Sequence, residues 1–222
     1  MDLKTINALI EQLRRETIGA PEWVPAKQAF EYRGHSPIVV AVLKLVRAAH
    51  GVSAVEKLCA SGLFVDAGAI MRCILDCCDE IHFLLEEHPA ASGHAQKFVK
   101  AFFEATIDSD MDEPTPAVQV KKVRAAVVRV LKGHHDDATQ KVMEGIHKTF
   151  SGYIHANYAH VMEVYNGGKD DFNLAGVPSP SLRAERMQYV DVALTSVVLT
   201  AAFIAKTLAR HELQGEFAKF LD

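Results

Sequence analysis

DAGAIMRCILDCCDEIHFLLEE, residues 66–87, is the stretch on which the fold turns. At 100° per residue, Arg72, Asp76, Asp79, Glu80, Glu86 and Glu87 fall within about a third of the circumference, with Phe83 among them. Cys73, Ile74, Leu75, Cys77, Cys78, Ile81, Leu84 and Leu85 fill the remaining arc, and His82 lies near its edge. A helix this apolar is a central one, packed on several sides. Its polar stripe is narrow, and a phenylalanine inside the stripe implies that another element covers part of it. Asp66 can cap this helix and Pro89 follows its end.

Helix signals extend in both directions from this segment. Leu3, Ile6, Leu9, Ile10 and Leu13 form a stripe at helical spacing, which predicts a first helix over about 2–18. Residues 19–35 hold Pro21, Trp23, Pro25 and Gly34 and read as an extended crossing segment anchored by burial of Trp23. Ser36-Pro37 is a cap followed by proline at the first helical position; that second helix is expected to stop at Gly51, and Ser53-x-x-Glu56 starts a short third. A fifth helix is predicted over 91–107, before an acidic linker at 108–115 that is the single candidate for an internal boundary. Thr115-Pro116 opens a sixth helix that Gly133 closes after Lys132. Asp137-x-x-Gln140 opens a seventh reaching Tyr165, Ser181 an eighth over 181–210, and a short ninth ends the chain. No alternating strands with hairpin turns and no repeat are read. The expected fold is all-α: one domain, a bundle of about eight or nine helices.

Apolar residues make up 49% of the chain and charged residues 23%, which suits a packed core and excludes wholesale disorder. The net charge of −4 argues against coating nucleic acid or an anionic membrane by bulk charge. The N-terminus lacks a signal-peptide pattern, and the most apolar run, 192–205, falls short of the roughly 20 residues a bilayer crossing needs. With Cys59, Cys73, Cys77 and Cys78 read as buried thiols, the expected setting is the reducing cytoplasm, with no membrane contact.

The seventh helix carries a second polar set. His147, Ser151 and Tyr158 border its buried face and His155 lies just outside; residues four apart stack, so His147, Ser151 and His155 form a ridge. Serine beside imidazole is a nucleophile–base pattern, and such groups also satisfy one another at helix boundaries. Together, Arg72-x-x-x-Asp76 and Ser151-x-x-x-His155 resemble a family of all-helical prokaryotic proteins, a domain of unknown function similar in style to abortive-infection and HEPN helical domains. The resemblance spans about residues 40–165. It implies that Arg72, Asp76, Ser151 and His155 converge in one inter-helix polar pocket, in a binding or regulatory module of stress or defence. It brings no established reaction.

Other chemistries stay open. Arg129 and His134 have the R-x4–6-H spacing of HEPN ribonucleases, so a ribonuclease or phosphodiesterase would use His155 with Arg72 or Arg129. Ten arginines, three permitted spacings and 11 histidines give about 1.5 such matches by chance, and Gly133 breaks the helix between the pair. Asp79-x-x-His82 and Glu144-x-x-His147 have the spacing of di-metal helical bundles, with Glu56 and Glu104 as further carboxylates, but the wheel sets Asp79 and His82 about 60° apart. His134-His135-Asp136-Asp137 reads as a helix end, loop and cap. Lys121, Lys122, Arg124, Arg129 and Lys132 give the sixth helix five cations and no acid, either a solvated face or an anion patch for a nucleotide or nucleic acid. No metal site or cofactor is expected. Helices apolar over most of their girth predict a homodimer.

Overall fold

A computed structural model of the chain describes residues 2–104 and 118–221. The acidic linker at 108–115, the end of the fifth predicted helix and the Thr115-Pro116 start signal lie outside the described residues. The expected all-α class holds. Helices α1 (Leu3–Ile18), α2 (Pro37–Ser61), α3 (Phe64–Leu85), α4 (Gly93–Glu104), α5 (Val120–Lys132), α6 (Asp137–Ile154), α7 (Tyr158–Met162), α8 (Pro180–Arg186), α9 (Gln188–Thr207) and α10 (His211–Ala218) make up the body.

At the centre lies α2. Ser36 accepts from the Val39 N–H at 3.3 Å and Pro37 presets the first turn, as the sequence signal implies. Val40, Leu45, Ala48, Val52 and Val55 are fully buried against α1, α3 and α9. The expected stop at Gly51 and the capping box at Ser53 do not occur, because α2 runs on to Ser61. A Cβ on Gly51 would sit 2.8 Å from Ile74, so that glycine is a notch through which α3 approaches. The true stop is Gly62, with φ of 77°, followed at once by α3. Its neighbourhood is crowded too: Val177 donates to the Gly62 carbonyl at 2.9 Å and straps the 173–177 loop onto this corner.

Two tiny antiparallel hairpins, absent from the sequence reading, decorate the bundle: Glu22–Val24 with Ala29–Glu31, and Tyr165–Asn166 with Asp171–Phe172. Trp23 is not the buried anchor expected; it is 51% exposed and packs edge-on against Phe30 across the hairpin at 5.0 Å. The caps of the later helices also shift. Asp136 rather than Asp137 caps α6, Ser179 rather than Ser181 caps α8, and the long eighth helix is split at Met187. Pro37–Ser61 and Pro180–Thr207 are long and apolar enough, by length and composition, to cross a membrane. Both send most of their apolar side chains into the chain's own core, which removes the argument that they require a second copy.

All four cysteines are free, and burial pushes the thiols of Cys77 and Cys78 up to about 11 and about 12. His82 is also buried, its ring stacked on Phe203 at 4.7 Å and its Nδ1 2.7 Å from the Cys78 carbonyl. Burial holds its pKa below the ordinary imidazole value of 6.5. The unfolded chain then binds a proton that the folded chain refuses, so His82's contribution is intact above pH 6.5 and is lost as pH falls below it. Urea midpoints measured on both sides of that pH are expected to fall on acidification, and to fall less in His82→Phe. Gly68→Ala is expected to cost about 1–3 kcal/mol, because its Cβ would lie 2.3 Å from the Tyr153 ring; thermal melts monitored by circular dichroism measure it.

Candidate functional site

The polar stripe of α3 is covered along most of its length, as the embedded Phe83 implies. Phe83 is 6% exposed and lies against Phe98 of α4. Lys44 of α2 meets Glu80 at 2.5 Å beneath the Phe98 and Phe102 rings. Arg129 of α5 grips Glu86 with Nε at 2.5 Å and a terminal nitrogen at 2.9 Å. Helix α6 covers the remainder and makes the seam of interest.

Along that seam the residues pair in antiparallel order. Gly68 receives the Tyr153 ring, Arg72 meets Ser151, and Asp76 and Asp79 meet His147. Arg72 Nε donates to Ser151 Oγ at 3.1 Å, while one terminal nitrogen bonds both Asp76 Oδ1 and His147 Nδ1. His147 Nε2 lies 2.8 Å from Asp79 Oδ2. These partners select one arrangement of hydrogens: Nε2–H donates to the Asp79 carboxylate, and Nδ1 accepts from the guanidinium. The side chain of His147 is 4% exposed and that of Arg72 11%, whereas Asp76 at 40% forms the rim. Burial raises the Asp76 pKa, and the nearby Arg72 and His147 pull it back.

Of the residues singled out by sequence, Arg72, Asp76, His147 and Ser151 come together; His155 and Tyr158 do not. Helix α6 ends at Ile154 instead of running to Tyr165, so the ridge of stacked residues stops at Ser151. His155 is exposed, Ala156 takes a positive φ of 49°, and the chain reverses into α7, where Tyr158 is 81% exposed. The reversal folds His160 back over Gly152, with its ring 4.0 Å from that of Tyr153. Tyr153 in turn joins Glu163 at 2.9 Å and Tyr189 at 3.1 Å, and Arg186 donates to Tyr189 at 2.6 Å. Burial first, then these hydrogen bonds, drives the Tyr153 pKa upward.

Asp79 completes the site although the Arg72-x-x-x-Asp76 and Ser151-x-x-x-His155 patterns do not include it. Its signal was membership of the same stripe as Arg72. The two [DE]-x-x-H pairs exchange partners across the seam: Asp79 of one meets His147 of the other, His82 turns into the core, and Glu144 bonds Gln140. Among the described residues, no group of three or more His, Cys, Asp or Glu side chains is placed to hold a metal ion. On α5, Arg129 is taken by Glu86, and His134 lies exposed beyond the left-handed cap at Gly133. Lys122 lies 3.1 Å from His94, Arg124 is half-buried, and Lys121 and Lys132 are exposed. Those two have no carboxylate within ion-pair distance among the described residues. The His134–Asp137 cluster is cap chemistry: Asp136 accepts from Ala138 and Thr139, and His135 meets Asp137 at 3.0 Å. Comparison with protein-family models, with curated proteins and with solved structures finds no significant match.

Removing Arg72 leaves the Asp76 carboxylate, His147 Nδ1 and Ser151 Oγ without their shared donor in a mostly dry seam. Arg72→Ala is therefore expected to cost about 2–4 kcal/mol, roughly 4–15 °C in melting temperature for a chain of this size, whereas His155→Ala leaves it within about 2 °C. Differential scanning calorimetry of the two variants measures both.

Proposed function

We propose that the chain is a cytoplasmic binding or regulatory module, of the prokaryotic stress- or defence-associated helical kind that the sequence resemblance implies, with no bond-breaking chemistry at the α3–α6 seam. One observation carries this reading: each ring nitrogen of His147 has a partner, and Ser151 accepts a hydrogen bond from Arg72. Nucleophilic catalysis needs a hydroxyl whose proton a neighbouring base can take. Here the one imidazole in the cluster is held between a carboxylate and a guanidinium, and His155 stands outside it. General acid–base work would require His147 to give up Asp79 or Arg72, opening a seam that holds two helices together.

The ligand class is argued from α5. Lys121 and Lys132 stand free among the described residues on a helix without acids, which suits the phosphates of a nucleotide or nucleic acid. Lys122 and Arg129 are already engaged by His94 and Glu86 and contribute less.

Purified protein is expected to leave RNA and a chromogenic phosphodiester intact, and His155→Ala to behave as the parent. RNA cleavage by the parent that His155→Ala abolishes at unchanged melting temperature would replace this reading with the ribonuclease one. In anisotropy titrations with a short labelled RNA, the double variant Lys121→Glu, Lys132→Glu is expected to weaken binding and to flatten the salt slope by about 1.5. Unchanged affinity and slope would remove the phosphate ligand.

A further inference from the structure

Exposed apolar side chains are not spread evenly over this protein. Six of the fifteen exposed large hydrophobics among the described residues lie within 154–174: Ile154, Tyr158, Val161, Tyr165, Phe172 and Leu174. Tyr158 is 81% exposed and Leu174 86%, values at which a large apolar side chain gains almost nothing from its own fold. They succeed one another along a single segment: Ile154 ends α6, Tyr158 and Val161 share α7, Tyr165 and Phe172 pair at 5.2 Å across the second hairpin, Leu174 follows it directly, and Val161 and Leu174 line one cavity.

Beside Leu174 the surface has a hole. A cavity of about 210 Å³ lies between the start of α3 and the reversed segment, walled mainly by Phe64, Val65, Val161, Val164 and Leu174 itself, with Asp66 and Asn173 as its polar members. Small-molecule sites run to roughly 300–1,000 Å³, so this one is short of a ligand's needs and suits a single aliphatic side chain. Knob and hole thus sit next to each other on one face. That is the requirement of a two-fold symmetric interface, in which the same patch serves both partners and each knob enters the other's hole.

Size agrees with this geometry. The exposed parts of the six side chains sum to on the order of 500 Å² of apolar surface. A standard interface takes about 800 Å² from each partner, roughly 65% of it apolar in homodimers, which is about 500 Å². Two of the four charged groups within 154–174 are engaged already: Glu163 pairs with Arg186 at 3.1 Å and Asp170 accepts from Tyr165 at 2.7 Å, while Lys169 and Asp171 are exposed at the hairpin.

From these observations we infer that the 154–174 face binds a second copy of this chain, with Leu174 of each copy seated in the other's cavity between α3 and α7. The inference is independent of the phosphate ligand proposed for α5.

Sedimentation velocity and light scattering on the full chain, over a wide concentration range, test it. The expected mass is twice the 24.4 kDa of one chain. Leu174→Arg is expected to raise the dimer dissociation constant at least about thirtyfold while leaving the far-ultraviolet circular dichroism unchanged. Val192→Arg, at an exposed apolar site of α9 outside the 154–174 segment, is expected to remain dimeric. A parent chain that is monomeric at the highest concentration overturns the inference, even if the patch captures some other protein. So does a dimer that survives Leu174→Arg or that Val192→Arg dissociates equally.

Discussion

A guanidinium drawn almost wholly out of water has to be matched from every side, and the placement of Arg72 organises half of this protein on that account. Its own helix supplies Asp76, one turn on, which is sufficient only for a surface pair. The other partners, Ser151 and His147, come from α6 and arrive in antiparallel order against α3. Once α6 is clasped there, Tyr153 falls onto Gly68, and the chain must reverse at Ala156 to bury His160 against Tyr153. That reversal sets α7 and the second hairpin, and with them the apolar face that contains the cavity. The polar clasp and the apolar face are thus joined through α6, Tyr153 and the reversal at Ala156.

The same constraint limits what chemistry the clasp can perform. A buried charge is tolerated when its hydrogen bonds are complete, and completeness is what a reacting group must give up. The Arg72 cluster uses its imidazole on both edges and its hydroxyl as an acceptor, leaving the rim carboxylate of Asp76 as the member open to solvent. Helix α5 contrasts with it. There Arg129 is tied to Glu86 just past the end of α3, and Lys121 and Lys132 stand exposed. On α5 the paired Lys122 and Arg129 and the exposed Lys121 and Lys132 lie about 80° apart around the helix.

Several signals whose responsible atoms lie within a few residues were read well, although the caps of α6 and α8 fell one and two residues early. Ser36-Pro37 starts a helix and Gly133 ends one because caps are local hydrogen bonds and backbone conformations. The apolar arc of 66–87 marks α3 as central because amphipathic period reports burial directly. Gly51 misled for a corresponding reason: a glycine that ends a helix and a glycine that admits a neighbouring helix look alike until the neighbour is placed. His155 misled because the ridge it was to extend depends on whether α6 continues, and the reversal at Ala156 packs His160 on Tyr153, whose own place is set by Gly68 and Tyr189, far away along the chain. Asp79 sat in plain view on the right stripe, yet its partner, His147, is 68 residues away by subtraction of positions.

By itself the sequence determined the all-α class, the mostly apolar circumference of α3, the placing of Arg72 and Asp76 on one stripe of that helix and the placing of His147 and Ser151 on one ridge of α6. Each of these follows from period, capping or side-chain chemistry, which act over a turn or two of chain. Tertiary structure alone decided that Asp79 meets His147 and His155 stands apart, that the apolar girth of α2 is filled from within, and that unsatisfied apolar surface gathers at 154–174. Those outcomes depend on which buried groups find partners across long loops, and desolvation settles that only once the helices have met.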